Sequence, residues 1–490
     1  MIKFLIGVPG SGKTTFLAKK YNEEGWDFYG TTIFTGSTNA TIKSFLFKTG
    51  IKDKFGGLRT IDGFAYLTLL YYNLLDDWKR EMLEYKNRKA FINKLKNDYG
   101  IKMNFAKLDK INSIFRMAIL KDGDVSYFRN YFDELKLYGI RKEEIMLIYD
   151  LYRKKEYYDF SLLHQDVLNE KIDDIFYIYT YNRYEDRFER TTPEKIIIDE
   201  AQDFPFIYAK QIYQKYETGQ VKEILFAGDP AQEIFNFYAP NTDFLYEITK
   251  EKQFLVQTYR FGEKITDLAN KFLEQMGYDY KIVPNKNRKS KTFSFNYSDD
   301  TFVDVLNTLL KRSEYKDITI LARTKEQIKM ISEILDKHKI PYLNLENYEY
   351  EMIQTLLQII NSVIEERKEV VEKIGIRAFF SNKKESVMSY LSSLGYDKQY
   401  IDLAIRLLES SKRVYLSTVH NFKGLESDAV IFYNDMPALI NRKIRKSKQG
   451  WIYELKVVFT AITRAKYTFI NVETDNPLIH IPPEEESINI

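Results

Sequence analysis

The first fifteen residues, MIKFLIGVPGSGKTT, place a glycine-rich loop directly after a short apolar stretch. From Gly7 to Thr14 they fit the pattern G-x-x-x-x-G-K-[ST], in which glycines let backbone N–H groups surround phosphate oxygens. The pattern requires a strand before the loop and a helix after it, and residues 3–6 and 15–21 are compatible with these elements. This feature constrains the start of the chain to a strand–loop–helix unit that binds a nucleoside triphosphate.

Each position of the loop is a candidate nucleotide ligand. We expect Lys13 to contact the β- and γ-phosphates and Thr14 to bind Mg²⁺. The predicted nucleotide-binding residues are Gly7, Val8, Pro9, Gly10, Ser11, Gly12, Lys13, Thr14 and Thr15.

A second pattern, KIIIDEAQD, ends at Asp203 and puts two carboxylates at the end of an apolar run. A carboxylate at the end of a buried strand can hold Mg²⁺ through water, so Asp199 is the predicted metal residue. Glu200 is the predicted base that orients the attacking water. Two acids at a helix start would also be favoured by the helix dipole, but that alternative does not explain the preceding apolar run.

Composition excludes several classes of protein. A chain of 490 residues with 44% hydrophobic residues has room for about three or four domains. The net charge of +3 neither supports nor excludes nucleic acid, because binding it needs only local positive charge. With no cysteine and four scattered histidines, we expect no disulfide framework, iron–sulfur cluster or structural zinc site. No signal peptide and no apolar run of about 18 residues is evident, so we expect a cytoplasmic protein with no membrane span.

Apolar runs that end in polar motifs alternate with helical stretches, which is typical of parallel α/β sheets. Four predicted strands lie near residues 3–6, 31–35, 195–199 and 223–229, and four more near residues 318–322, 414–419, 429–433 and 467–472. We therefore predict two parallel-sheet α/β domains, each with a helical insertion. The predicted segments are 1–65 with 159–275 for the first domain, 66–158 for its insertion, 276–343 with 413–490 for the second domain and 344–412 for its shorter insertion. Two basic runs, at 284–291 and 441–448, fit solvated loops better than contacts to DNA phosphates.

Further motifs follow the loop in a fixed order: DEAQD at 199–203, GDPAQEIFNFY at 228–238, QTYR at 257–260, STVHNFKGLE at 417–426 and VVFTAITRAK at 457–466. Their order and spacing resemble those of superfamily 1 DNA helicases, in particular the UvrD, Rep and PcrA branch. The resemblance covers essentially all of both predicted sheet domains, and six ordered motifs are more specific than any single one. It implies two RecA-like P-loop NTPase domains that use ATP and Mg²⁺.

The resemblance also assigns residue roles. It implies that Gln232 senses the γ-phosphate and that Arg260 and Arg464 are arginine fingers from the two sides of a closing cleft. It implies that Tyr259 stacks on the nucleotide base and that Glu426 contacts the ribose. Surface ion pairs for the two arginines, and a core position for Tyr259, are the alternatives.

Single-stranded nucleic acid is held by phosphate contacts and by aromatic rings that stack on bases. Phe237 stands where relatives carry a stacking tryptophan, and Tyr238 follows it. STN at 37–39 and TIDGF at 60–64 are weaker matches, because Ser37, Asp62 and Gly63 replace the usual family residues. The predicted strand-binding residues are Thr38, Asn39, Phe64, Phe237, Tyr238, Arg323, Thr418 and His420. For His420, bracing its motif and touching DNA are equally good interpretations.

The resemblance implies an ATP-dependent 3′–5′ single-stranded DNA translocase and helicase that acts on single strands and their junctions with duplex. Only six residues precede Gly7, so we expect the family's upstream adenine-reading glutamine motif to be absent and base selection to be relaxed. The predicted second insertion is shorter than the duplex-contacting subdomain of relatives. Two alternatives therefore stay open: a translocase or remodeller that does not unwind alone, and a DNA-stimulated ATPase subunit that serves a separate nuclease in repair or phage defence.

Overall fold

The computed structural model describes residues 1–24, 32–36, 57–132, 140–172, 174–182, 187–235, 240–347, 412–438 and 448–481, with a few single positions between these ranges. They form two compact units. The first comprises Met1–Ser290 with Ala438–Thr463, and the second comprises Lys291–Pro437 with Arg464–Ile490.

The first unit is built on a six-stranded sheet. The described residues of this unit form eight strands, which in chain order are β1 (Ile2–Gly7), β2 (Thr32–Gly36), β3 (Leu58–Thr60), β4 (Ile178–Asn182), β5 (Arg187–Thr191), β6 (Lys195–Ile198), β7 (Glu223–Gly228) and β8 (Glu251–Leu255). The sheet has the order β3-β2-β6-β7-β1-β8 and all its pairs are parallel, while β4 and β5 form a separate antiparallel hairpin. Strands β1, β2 and β6 are mostly buried, as expected for a parallel sheet covered on both faces.

Helices alternate with these strands along the chain, and several consecutive helices lie between β3 and β4. In chain order they are α1 (Lys13–Glu24), α2 (Ile61–Tyr71), α3 (Asp77–Leu83), α4 (Tyr85–Tyr99), α5 (Phe105–Asp122), α6 (Lys142–Arg153), α7 (Phe160–Asn169), α8 (Phe206–Glu217), α9 (Thr242–Ile248) and α10 (Glu263–Gln275). Their ends follow local chemistry. The side chain of Asn104 accepts the Lys107 N–H at the start of α5, and Gly123 ends α5 in the left-handed conformation.

The second unit carries another six-stranded parallel sheet. Its strands are β9 (Lys291–Asn296), β10 (Asp317–Ala322), β11 (Leu343–Asn344), β12 (Arg413–Thr418), β13 (Ser427–Asn434) and β14 (Ala465–Glu473), in the order β11-β12-β10-β13-β14-β9. Helices α11 (Asp299–Lys311) and α12 (Lys325–Lys337) contribute Leu306 and Ile331 to a core that also contains Ile320, Leu416 and Ile431. All eight predicted strands are present, and the predicted class of two RecA-like α/β sheets is confirmed.

The last described helix belongs to the first compact unit, and the predicted domain bounds stay predictions. Residues 276–290 and 438–463 were assigned to the second domain, yet they group with the first unit, including α13 (Lys448–Ile462). The reason is packing, because α13 contacts α10 and the 3₁₀ turn Pro230–Gln232. In addition, the Tyr453 hydroxyl donates to the Ile234 carbonyl at 2.8 Å. The predicted second insertion, 344–412, lies mostly outside the described residues.

Candidate nucleotide site

The phosphate loop has the backbone that its sequence requires. Strand β1 ends at Gly7 and α1 begins at Lys13, with Gly10 and Gly12 at φ of 72° and 78°. These left-handed angles favour glycine. A Cβ on Gly7 would lie 2.3 Å from Cγ of Lys13, because the lysine side chain folds back over the strand end and its Nζ donates to the Gly7 carbonyl at 2.9 Å. The loop therefore keeps its lysine beside the end of β1.

Thr14 and Asp199, 185 positions apart in the chain, meet beside this loop. The Thr14 hydroxyl donates to Oδ2 of Asp199 at 2.9 Å. A hydroxyl and a buried carboxylate are the donors that Mg²⁺ takes from a P-loop protein. The buried Oγ of Ser11 has no hydrogen-bond partner among the described residues. Its hydroxyl could therefore donate a hydrogen bond to a phosphate oxygen of a bound nucleotide. The donor set therefore fits a Mg²⁺-bound nucleotide.

The charge of Asp199 is controlled by its surroundings. Burial and the neighbouring Glu200 carboxylate raise the pKa of Asp199, whereas Lys13 and the Thr14 hydroxyl oppose them. Bound cations favour the ionised form of a carboxylate, so binding of a divalent cation here would remove the cost that burial imposes. Within the described ranges, no group of three or more His, Cys, Asp or Glu residues could hold a metal ion. Phosphate and water would thus have to supply the remaining ligands.

Glu200 occupies a strained position next to the metal residue. Its φ of 54° is in the left-handed region, which is costly for a residue with a side chain. The backbone N–H of Glu200 donates to Oδ1 of Asp199 at 3.0 Å, and Nε2 of Gln202 donates to Oε2 of Glu200 at 2.5 Å. The bond from Gln202 holds the predicted water-orienting carboxylate, and the backbone bond ties Glu200 to the predicted metal residue.

The same glutamine joins this carboxylate to the turn that follows β7. Oε1 of Gln202 accepts the backbone N–H of Asp229 at 2.9 Å. Oδ2 of Asp229 in turn accepts from Nε2 of Gln232 at 2.6 Å. Burial raises the pKa of Asp229, while the positive charge of Lys13 acts in the opposite direction and lowers it. The predicted γ-phosphate sensor is therefore linked to Glu200 through two side chains.

QTYR lies directly against the phosphate loop. The Thr258 hydroxyl donates to the Pro9 carbonyl at 2.8 Å, and the Tyr259 N–H donates to the Gly10 carbonyl at 2.9 Å. The Tyr259 side chain is 64% exposed, so its ring is open to a ligand rather than part of the core. Nη1 of Arg260 donates to the Thr463 carbonyl at 2.8 Å.

Comparison with known proteins gives one family match, in the second half of the chain. A family model described as an AAA domain matches residues 242–475. The matched region holds QTYR, STVHNFKGLE and VVFTAITRAK but not the phosphate loop or DEAQD. No curated protein matches the chain. The sheet, loop and Thr14–Asp199 pair are those of a P-loop NTPase.

The remaining nucleotide-site predictions for this NTPase fall on both units. Val8 is buried and Thr15 is exposed in the first turn of α1. In the second unit, Arg464 is 2% exposed and its Nη1 donates to the Leu425 carbonyl at 3.2 Å. Glu426 forms an ion pair with Lys466 at 3.1 Å. The roles of Arg464 and Glu426 stay predictions.

The residues predicted to bind single-stranded nucleic acid fall partly outside the described residues and partly at buried positions. Thr38, Asn39, Phe237 and Tyr238 lie outside the described residues. Phe64 is fully buried, with its ring centroid 5.6 Å from that of Phe176, which is a packing position with no ring face open to a base.

In the second unit, Arg323, Thr418 and His420 are each at most 6% exposed. The Thr418 hydroxyl and backbone N–H both donate to Oε1 of Glu346, at 2.8 and 2.9 Å. Contacts of these three residues with a nucleic acid stay predictions.

Four residues of the nucleotide site were not predicted from sequence. Gln202, Asp229 and Thr258 lie inside predicted motifs, so their position was a usable signal. Tyr280 lies in no motif, yet its hydroxyl donates to Oδ1 of Asp229 at 3.0 Å.

Proposed function

We propose that this NTPase is an ATP-dependent 3′–5′ single-stranded DNA translocase and DNA helicase. The observation that carries the proposal is the set of residues hydrogen bonded to one another beside the phosphate loop. It runs from Thr14 and Asp199 through Glu200 and Gln202 to Asp229 and Gln232. The ordered motifs that resemble superfamily 1 helicases add the nucleic-acid substrate. Among the described residues no helix is long and apolar enough to cross a membrane.

Each residue of the proposed site has a defined task. When bound, Mg²⁺–ATP supplies the phosphoanhydride bond whose hydrolysis releases the free energy for movement. Lys13 holds phosphate charge, while Thr14 and Asp199 hold the metal ion. Glu200 accepts a hydrogen bond from water and orients it, and Gln202 keeps the Glu200 carboxylate in place. Gln232 reports the state of the γ-phosphate.

Arg260 and Arg464 are proposed to supply guanidinium charge to the γ-phosphate. Of the two, Arg260 has the stronger support because QTYR is hydrogen bonded to the phosphate loop through Thr258 and Tyr259. A group of this kind can contribute about 10³-fold or more to the rate of hydrolysis.

Displacement of streptavidin from biotinylated oligonucleotides tests movement and its direction. We expect the parent protein, with ATP and Mg²⁺, to clear streptavidin from the 5′ end of a single strand and to leave a 3′-end complex in place. The matched control is Glu200→Gln, which should bind the strand but not move. Release from neither end, or at equal rates in the control, would contradict a translocase.

A tailed duplex separates unwinding from movement. Opening a base-pair step costs on the order of 1.4 kcal/mol, and the predicted second insertion is short. The substrates carry a 3′ single-stranded tail and a duplex part of increasing length. We therefore expect the isolated chain to unwind the longer duplexes slowly. DNA-stimulated hydrolysis with neither movement nor unwinding would instead support an ATPase subunit that serves a nuclease.

A further inference from the structure

Tyr280 is buried in the segment between α10 and β9, outside every sequence motif. Its ring lies in an aromatic group, with centroids 5.4 Å from Tyr278 and 5.8 Å from Phe254. Since packing on both neighbours fixes the ring, the hydroxyl has a defined direction. It donates to Oδ1 of Asp229 at 3.0 Å.

The segment that carries Tyr280 is itself held firmly. Both polar atoms of the Asn270 side chain bond the backbone of Ile282, with Nδ2 to the carbonyl at 3.1 Å and Oδ1 to the N–H at 2.8 Å. The Val283 N–H then donates to the Val256 carbonyl at 2.8 Å, and the Thr258 N–H to the Val283 carbonyl at 2.9 Å. This short segment therefore contacts QTYR on one side and Asp229 on the other.

Asp229 divides its two carboxylate oxygens between different partners. Oδ1 accepts from Tyr280 and from the Ala231 N–H at 3.1 Å, whereas Oδ2 accepts from Nε2 of Gln232 at 2.6 Å. A carboxylate that is held through one oxygen cannot rotate freely, so the direction of the other oxygen is also fixed. The amide of Gln232 donates to that second oxygen, so its orientation is coupled to the direction of the carboxylate.

We propose that Tyr280 is a positioning residue for nucleotide hydrolysis, which anchors the Asp229 carboxylate and through it sets the amide orientation of Gln232. This inference rests on the proposed function, because Gln232 matters only if the site hydrolyses a nucleotide. It goes further because it assigns the orientation of the γ-phosphate sensor, Gln232, to a residue that lies outside every motif.

The test is Tyr280→Phe, which removes the hydroxyl and keeps the ring. The matched control is Tyr278→Phe, because Tyr278 packs on the same ring and is not among the described donors to Asp229. We expect Tyr280→Phe to lower kcat for DNA-stimulated ATP hydrolysis on the order of tenfold, as for loss of a hydrogen bond to a charged group. KM should change less than about twofold, and Tyr278→Phe should behave as the parent.

A binding measurement gives a second readout that does not depend on turnover. By calorimetry, Tyr280→Phe should bind Mg²⁺–ADP as the parent does but bind Mg²⁺–ADP with aluminium fluoride about tenfold more weakly, because only the analogue needs the γ-phosphate sensor. Equal loss of affinity for both ligands would show a merely structural role and overturn the inference.

A double-mutant cycle with Gln232→Ala tests the route of the effect. If Tyr280 acts through Gln232, adding Tyr280→Phe to Gln232→Ala should cause little further loss, whereas independent effects would multiply and contradict the proposal. Asp229→Asn interrupts the same connection from the other side, and Tyr280→Phe should add little to it as well. If Glu200→Gln abolishes hydrolysis while Tyr280→Phe is silent, only the positioning inference fails. If Glu200→Gln is also silent, the proposed function fails.

Discussion

Asp62 allows a quantitative prediction about what holds the helices between β3 and β4 onto the first sheet. Its Oδ2 accepts from Arg116 of α5 at 2.7 Å, and its Oδ1 accepts from Nε2 of His164 of α7 at 2.9 Å. Nδ1 of His164 in turn accepts from the hydroxyl of Tyr208 in α8. These four side chains join the helical segment to the helix that follows DEAQD.

The magnitude follows from the acidity of this carboxyl. Burial alone would raise the pKa of Asp62, but Arg116 and His164 outweigh it and lower the pKa from 3.8 to about 2. Each unit of pKa corresponds to about 1.4 kcal/mol. The ionised carboxylate therefore contributes on the order of 2 kcal/mol to the free energy of unfolding. The Asp62 side chain is only 26% exposed, so solvent screening should reduce this contribution to the free energy of unfolding only in part.

The dependence on pH has a definite sign. Because the folded-state pKa lies below the unfolded value, the contribution is present above about pH 4 and disappears as pH falls towards about 2. Asp62→Asn should therefore destabilise the protein by about 2 kcal/mol or more near neutral pH, because it also leaves the partly buried guanidinium of Arg116 without this carboxylate. The difference between parent and variant should shrink near pH 3.

Urea unfolding at several pH values measures this difference. The control is Asp77→Asn, which removes a carboxylate that is 86% exposed and pairs with Arg80 within α3. Exposed pairs contribute roughly 0 to 1 kcal/mol, so this control should stay close to the parent. If Asp62→Asn unfolds at the same urea concentration as Asp77→Asn at every pH, the reasoning is refuted.

Two further predictions concern the nucleotide site. Gly10→Ala should weaken ATP binding and destabilise the fold by about 1 to 3 kcal/mol, because φ is 72° and the new Cβ would lie 2.5 Å from Cβ of Arg260. Gly219→Ala is the control, because its φ is 75° and an added Cβ would have nothing within 4 Å. This variant should show the backbone strain without any loss of ATP affinity. Equal ATP affinity in both variants would contradict the steric argument. Tyr259→Ala should reduce the affinity for a fluorescent ATP analogue about tenfold while Tyr259→Phe preserves it, since a stack needs only the ring. Unchanged affinity in Tyr259→Ala would remove this ring from the site.

What the sequence could predict was set by local constraints. The phosphate loop and the apolar strands before Gly7 and Asp199 follow from a pattern within a few neighbouring residues, so the sheets and the placement of Lys13, Thr14 and Asp199 could be anticipated. The glycine at position 10 could likewise be anticipated, because the loop motif requires a left-handed backbone angle there.

Pairings between distant segments could not be anticipated in the same way. Asp62 and His164 are 102 positions apart, and Tyr280 and Asp229 are 51 positions apart, with no local pattern that marks either pair. The association of α13 with the first unit also depends on tertiary contacts, here with α10 and the turn that holds Gln232. Periodicity identifies a helix, but it does not identify the neighbour against which the helix packs.

Steady-state ATP hydrolysis by the parent and by Glu200→Gln, with and without single-stranded DNA, tests the central claim most directly. The account predicts that single-stranded DNA stimulates the parent. Glu200→Gln should retain ATP and DNA affinity, measured by calorimetry and fluorescence anisotropy, and lose nearly all stimulated hydrolysis, because only the water-orienting carboxylate has been removed. Turnover of Glu200→Gln at the rate of the parent, with nucleotide affinity unchanged, would contradict the account.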